Sequence, residues 1–271
     1  VSTVVRAERP AGAGLLAGKV VLVAGVGPDL GRAIAVRSVH AGADVVLAAR
    51  TERRLKEVAE EVAGHGRRVL TVPTDIADAE SRATLVRAAL AEFGRVDSLV
   101  NSAFVAPPQR RLLDVSLDDV RGWTDVNVLA SIGLVQELEE PLVAAGGSVV
   151  LISSMVMRNR LPGFGAYRMD KAALLAAARS LSVELGPRGV RVNSVAPGYI
   201  WADKVRRGLA RQAEARGVPP EQVYGEVAGD ADLRRLPTPD EIADAAVFLA
   251  SEMASGIAGQ CLDVTCGQTH H

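Results

Sequence analysis

Apolar residues follow two rhythms along this chain. Short apolar runs lie at Lys19–Ala24, Ala43–Ala49, Arg67–Val72, Val96–Val100, Ser148–Ile152, Val190–Val195 and Gln260–Thr265. Their length and their valine and leucine content predict β-strands. Between them the pattern turns helical, from Arg32, over Glu52–Val62, Ala79–Phe93, Ser116–Val143 and Tyr167–Leu185, and last over Pro239–Ala250. Residues 199–235 are polar and rich in arginine, with room for two short helices. Strands alternating with helices predict an α/β fold. Its seven-stranded, mostly parallel sheet should be doubly wound, with helices on both faces.

Composition narrows the functions open to such a chain. Apolar residues make up 48% and charged residues 23%, which is globular. A net charge of −1 gives no field that would draw nucleic acid or an anionic membrane. No apolar run approaches the roughly 20 residues of a membrane span. The first 18 residues, Val1–Gly18, lack the apolar core of a leader and are expected to form a flexible arm. From Lys19 to His271 no repeat or linker interrupts the pattern, so one domain is expected there. Cys261 and Cys266 are expected to be reduced thiols in a cytoplasmic chain. His40, His65, His270 and His271 have no ligand spacing, so no metal is expected.

In a sheet of this kind ligands bind beyond the carboxyl ends of the strands. Gly25, Arg50, Asp75, Asn101, Ser154 and Gly198 all fall there. After the first strand comes the glycine-rich turn Gly25–Gly31 and then a helix, an arrangement that aims N–H groups and a helix dipole at a phosphate. The spacing G-x-G-x-x-G is not met, because Leu30 stands at its last position. After the fifth strand come Ser154 and, thirteen positions later, Tyr167, with Lys171 four residues further on. In a helix those two side chains share a face, about 5.4 Å apart along the axis. A phenol beside an ammonium is suited to proton transfer, and the positive charge is expected to draw the phenol below its ordinary pKa of about 10.

With these motifs the chain resembles the short-chain dehydrogenases/reductases from about Lys19 to Gly267. The family's Tyr-x-x-x-Lys is Tyr167–Lys171, its upstream serine Ser154 and its helical asparagine Asn127. Its Asn-Asn-Ala-Gly appears as Asn101-Ser102-Ala103 with Phe104 in place of glycine, and its Pro-Gly as Pro197-Gly198. The resemblance implies a Rossmann-like dehydrogenase domain that moves hydride between a nicotinamide cofactor and a small carbonyl or secondary alcohol. Tyr167 would be general acid and base, Ser154 would hold the substrate oxygen, and Lys171 would steady the phenolate and grip the ribose. Asn127 would hold a water behind Lys171. The cofactor would lie along Gly25, Asp29, Leu30 and Gly31, past Arg50, Asp75 and Ile76, to Asn101, Ser102, Ala103, Pro197, Gly198 and Ile200. Asp75 is the residue expected to face adenine.

Two departures bear on the cofactor. In the family's Thr-Gly-x-x-x-Gly-x-Gly, Ala24 replaces threonine and Asp29 the middle glycine, adding a negative charge where a pyrophosphate would approach. Where users of NAD carry an acid after the second strand, this chain has Ala49 and then Arg50, suited to a 2′-phosphate. NADP(H) is therefore expected over NAD(H), although Pro28 stands where a second basic residue often accompanies that choice. Asp29 also leaves open a second class, a dinucleotide-binding scaffold or redox sensor without turnover. Tyr199, Trp201 and Tyr224 are candidates to wall a substrate pocket. Arg206, Arg207, Arg211 and Arg216 read first as a solvated helix face. The helix from Tyr167 is apolar all round, which predicts that it and the 116–143 helix pack against a second copy in a dimer or tetramer.

Overall fold

A computed structural model describes residues 14–270. Seven parallel strands form one sheet in the order β3-β2-β1-β4-β5-β6-β7. They are β1 Val20–Ala24, β2 Asp44–Ala49, β3 Val69–Pro73, β4 Ser98–Asn101, β5 Ser148–Ile152, β6 Arg191–Pro197 and β7 Cys261–Val264. The order reverses between β1 and β4, and there the register sets Ala24 beside Asn101. This places the two loops that follow β1 and β4 at one spot.

Alternate residues of a strand point to opposite faces, and β1 shows the consequence. Val21 and Val23 enter a core with Ile34, Leu55 and Ile242; Val20 and Leu22 enter a second core with Leu85, Leu134 and Leu174. The first core lies under α1 (Leu30–His40), α2 (Glu52–Val62) and α10 (Pro239–Ala250). The second lies under α3 (Ala79–Phe93), α5 (Ala130–Glu137) and α7 (Gly165–Leu185). A strand covered on both sides has no polar face, which is why these strands read as unbroken apolar runs.

Three expectations change. Of the expected arm, residues 1–13 lie outside the described residues, whereas 14–18 form a turn whose Leu16 is fully buried in the first core. The helix expected over 116–143 is four pieces: α4 (Leu117–Thr124), a π-helical segment (Asp125–Leu129), α5 and α6 (Glu139–Ala145). Ser116 caps α4 through a hydrogen bond from the Asp118 N–H, and α5 stops at Leu138 just before Pro141 can enter it. Third, α7 is not apolar all round. It buries Ala166, Asp170, Lys171, Leu174 and Ala178, while Met169, Ala172, Ala176 and Val183 face outward beside Arg179, Ser180 and Glu184. The two helices expected in the 199–235 region are α8 (Asp203–Arg216) and α9 (Pro220–Gly229). Among the described residues no helix is long and apolar enough to cross a membrane.

Candidate active site

The turn after β1 is built around close backbone approach. Gly25 has φ +86°, and a Cβ there would stand 2.3 Å from the Ala103 backbone nitrogen. At Gly31 a Cβ would meet the Gly25 carbonyl oxygen at 2.1 Å. Only glycine fits either place. The Gly25 and Val26 N–H groups both donate to the Ala48 carbonyl, at 2.8 and 3.1 Å, which pulls the turn across β2. Asp29 is the N-cap of α1, yet its carboxylate accepts no hydrogen bond from the helix. Leu30 opens α1 half-buried.

Along the sheet edge the other expected cofactor residues take distinct positions. Arg50 follows β2, exposed and without an ion-pair partner among the described residues. Asp75 follows β3; its carboxylate accepts from the Ala77 N–H at 3.0 Å and so shapes its own turn. Ile76 beside it is buried, and its carbonyl accepts from Arg82 at 2.7 Å. Asn101 donates to the Ser131 hydroxyl at 2.9 Å and accepts from the Ala103 N–H at 3.0 Å, while the Ser102 N–H donates to Ala24. Gly198, after Pro197, donates to the Val264 carbonyl at 3.0 Å, and a Cβ there would crowd Gln268 and Thr265. Ile200 packs on the rim of the first core.

Ser154, Tyr167 and Lys171 meet beyond β4 and β5. The Ser154 hydroxyl is hydrogen-bonded to the Tyr167 phenol. Lys171, with 3% of its surface exposed, donates to the Ile152 carbonyl at 2.8 Å, and its Nζ stands 5.9 Å from the centre of the Tyr167 ring. The electrostatic expectation for the pair is reversed. Burial pushes the Tyr167 phenol above its ordinary value, with only the Ser154 hydrogen bond acting against it. Burial likewise brings Lys171 down to about 8, opposed by the charge of Asp170. Desolvation of both partners outweighs their mutual attraction because the ammonium is turned toward the Ile152 carbonyl.

Asn127 lies in the π-helical segment, a local widening common at functional sites. Its amide group is committed to protein partners. It accepts from the Val105 N–H at 2.7 Å and donates to the Val105 carbonyl at 2.9 Å and to the Asp170 carboxylate at 2.8 Å. Asp170 also accepts from the Thr124 hydroxyl at 2.8 Å. The amide therefore ties the loop after β4 to α7 instead of reaching behind Lys171, and a water there would have to meet the Asn127 backbone.

Phe104, which stands where the family has glycine, brings a ring into this cluster. Its centre is 6.1 Å from that of Tyr167, 5.2 Å from the Lys171 Nζ and 5.9 Å from the Lys204 Nζ. Asp170, Val105 and Phe104 were not among the expected site residues. An acid directly before Lys171 was the available signal for Asp170. In the region over the site Trp201 and Tyr224 pack edge to face, ring centres 4.5 Å apart. Arg206 pairs with Asp203 within α8, and Arg216 bridges to Glu226 of α9 at 2.6 Å, so both are spent on ion pairs of these two helices.

The sheet order, the turn after β1 and the Ser–Tyr–Lys cluster define a class of nucleotide-dependent oxidoreductases. A family model described as enoyl-(acyl carrier protein) reductase matches residues 25–269. An uncharacterised oxidoreductase of Mycobacterium tuberculosis is 39% identical over 258 residues, spanning 93% of this chain and 92% of the relative. Carveol dehydrogenase of Mycobacterium avium, solved with NAD, superposes with a TM-score of 0.86 at 27% identity, covering 94% of this chain and 99% of that one. L-Sorbose reductase of Gluconobacter frateurii, solved with NADPH and L-sorbose, gives 0.88 at 28% identity, covering 93% and 97%. This chain belongs to the short-chain dehydrogenase/reductase family.

Proposed function

We propose that the protein interconverts a small carbonyl compound and its alcohol with a nicotinamide dinucleotide, NADP(H) in preference to NAD(H). The observation that carries this is the Ser154–Tyr167 hydrogen bond between two half-buried side chains, with the Lys171 ammonium on the same helix face. The tight turn from Gly25 to Gly31, leading into the N-terminus of α1, suits a pyrophosphate, and the unpaired Arg50 suits a 2′-phosphate. Lys171 would hold the ribose. When bound, the cofactor supplies or accepts the hydride. Tyr167 gives its proton to the substrate oxygen in reduction and takes it back in oxidation. Its raised pKa keeps it protonated at neutral pH, which suits the acid role. Ser154 donates to the same oxygen as charge develops there. Phe104 sets a flat apolar ring beside Tyr167, which suits a substrate with an apolar body. The outward face of α7, with Met169 and Val183 exposed, supports a homodimer or tetramer.

Asp29 favours the second reading, a dinucleotide-binding scaffold or redox sensor without turnover. Tyr167→Phe decides between the two. It keeps the ring and removes the proton, and loss of general acid catalysis costs about 10²–10⁴-fold. Ketones and secondary alcohols would be screened with NADPH and NADH on both proteins. We expect turnover by the wild type, higher kcat/KM with NADPH, and loss of at least about 10²-fold in kcat in the variant, with cofactor binding retained. Equal rates in the two proteins would remove Tyr167 from the chemistry.

A further inference from the structure

We propose that Arg168 is a positioning residue for Ser154; the proposal rests on the catalytic reading above. Arg168 follows Tyr167 on α7, but its side chain turns back onto the loop that separates Ser154 from Tyr167. There its guanidinium meets three backbone carbonyls. Nε donates to Val156 at 3.0 Å, and Nη2 donates to Asn159 at 2.9 Å and Leu161 at 3.1 Å. A planar fork can serve three converging acceptors in this way, whereas an ammonium cannot hold the same plane.

One of those carbonyls belongs to the peptide chain beside Ser154. The Ser154 hydroxyl accepts from the Val156 N–H at 3.2 Å, and Val156 is buried, with 3% exposed. Val156 is thus held on its N–H by Ser154 and on its carbonyl by Arg168. The Ser154 hydroxyl, whose acceptor side is engaged by Val156, is left with its proton free to point toward Tyr167. The hydrogen bond between Ser154 and Tyr167 closes a ring that runs Tyr167, Arg168, Val156, Ser154 and back to Tyr167. The loop is anchored elsewhere by Arg158, paired with Asp263 at 3.0 Å, but that contact holds a side chain beyond the short turn and not the carbonyls. Arg168 therefore sets the distance and direction of the Ser154 hydroxyl relative to Tyr167 without touching the substrate itself.

A double-mutant cycle tests this. Arg168→Met, Ser154→Ala and the double variant would be compared with wild type in single-turnover hydride transfer, using NADPH and whichever ketone the screen yields. Misplacing a catalytic group by about 1 Å costs on the order of 10²-fold, so Arg168→Met should lose about 10- to 100-fold in rate with the Kd for NADPH unchanged. In the Ser154→Ala background the same substitution should cost less than about threefold, because the group it positions is gone. Arg168→Lys, which keeps the charge and part of the bonding, should fall between, and it serves if Arg168→Met does not fold. A second readout needs no turnover. The tyrosinate absorbance of Tyr167, isolated by difference against Tyr167→Phe, should titrate higher in Arg168→Met and in Ser154→Ala alike. Lys171 on its own helix and Lys204 across Phe104 are unchanged in all these proteins. A full rate loss in both serine backgrounds, or an unmoved Tyr167 titration, would overturn the positioning role. Absence of turnover in the wild type would instead defeat the catalytic reading and leave the titration to decide the role of Arg168.

Discussion

Replacing Lys171 with methionine should stabilise the empty protein while abolishing its turnover. Burial brings the Lys171 ammonium from 10.5 down to about 8. A lysine with a depressed folded-state pKa binds its proton less tightly folded than unfolded. Below about pH 8 the charged side chain therefore works against folding. Between about pH 8 and 10.5 the folded form has released the proton and the unfolded chain still holds it, so stability rises with pH across that window. At about 1.4 kcal/mol per unit, the penalty at neutral pH is about 3 kcal/mol. Methionine is unbranched, apolar and adaptable, so it can follow the path of the lysine stem. The Ile152 carbonyl loses its donor, at a cost of about 1 kcal/mol. A net gain of about 2 kcal/mol is expected at about pH 7, shrinking by about that amount as pH approaches 10. Tyr167 titrates in both proteins, so its contribution cancels in the difference. Reversible urea unfolding at one protomer concentration, at unit steps of pH, measures it. A difference between the proteins that does not change with pH would mean that Lys171 keeps its ordinary affinity for the proton, and the burial argument would fail.

Asp29→Gly should tighten NADPH binding by about 1 kcal/mol in calorimetry, since it removes a negative charge from the N-cap of α1. Because the Asp29 carboxylate makes no capping hydrogen bond, the same change should cost only a few tenths of a kcal/mol in stability. Unchanged or weaker binding would mean that the carboxylate points away from the phosphates. In solution light scattering the protein should have the mass of a dimer or tetramer, and a monomeric mass would rule out an assembly role for the exposed Met169 and Val183.

Much of this site was legible in the sequence for physical reasons that can be named. Strands buried on both faces leave unbroken apolar runs, and a parallel sheet brings the residue after each run to one edge. Tyr167 and Lys171 stand a helical turn apart, so their shared face follows from spacing alone. The 116–143 region was misread because a π-helical turn alters the hydrogen-bond step without altering the apolar pattern around it. Pro141 was the one local sign that a single helix could not continue. The sign of the Tyr167 shift was misjudged for a different reason. Spacing within a helix says that an ammonium is near a phenol, but not that a carbonyl from another element, Ile152 at the end of β5, will capture it.

The contacts that escaped sequence reasoning share a character: each joins a side chain of α7 to a group in another element or loop. Asp170 reaches Asn127 and Thr124, and through Asn127 the loop after β4; Arg168 reaches the loop after β5. Both flank the Tyr167–Lys171 pair, one directly after the tyrosine and one directly before the lysine. The loops after β4 and β5 are thereby fastened to the helix that carries the proposed proton-transfer groups. Orientation matters more than proximity in such a site, since a hydroxyl that points elsewhere contributes nothing to the developing charge. A buried carboxylate at Asp170 is costly to desolvate, and the Thr124 and Asn127 donors and the nearby Lys171 charge offset that cost. The same carboxylate opposes the fall in the Lys171 pKa. It thus serves the site twice, fixing the loop that bears Phe104 and keeping a larger share of Lys171 charged near neutral pH.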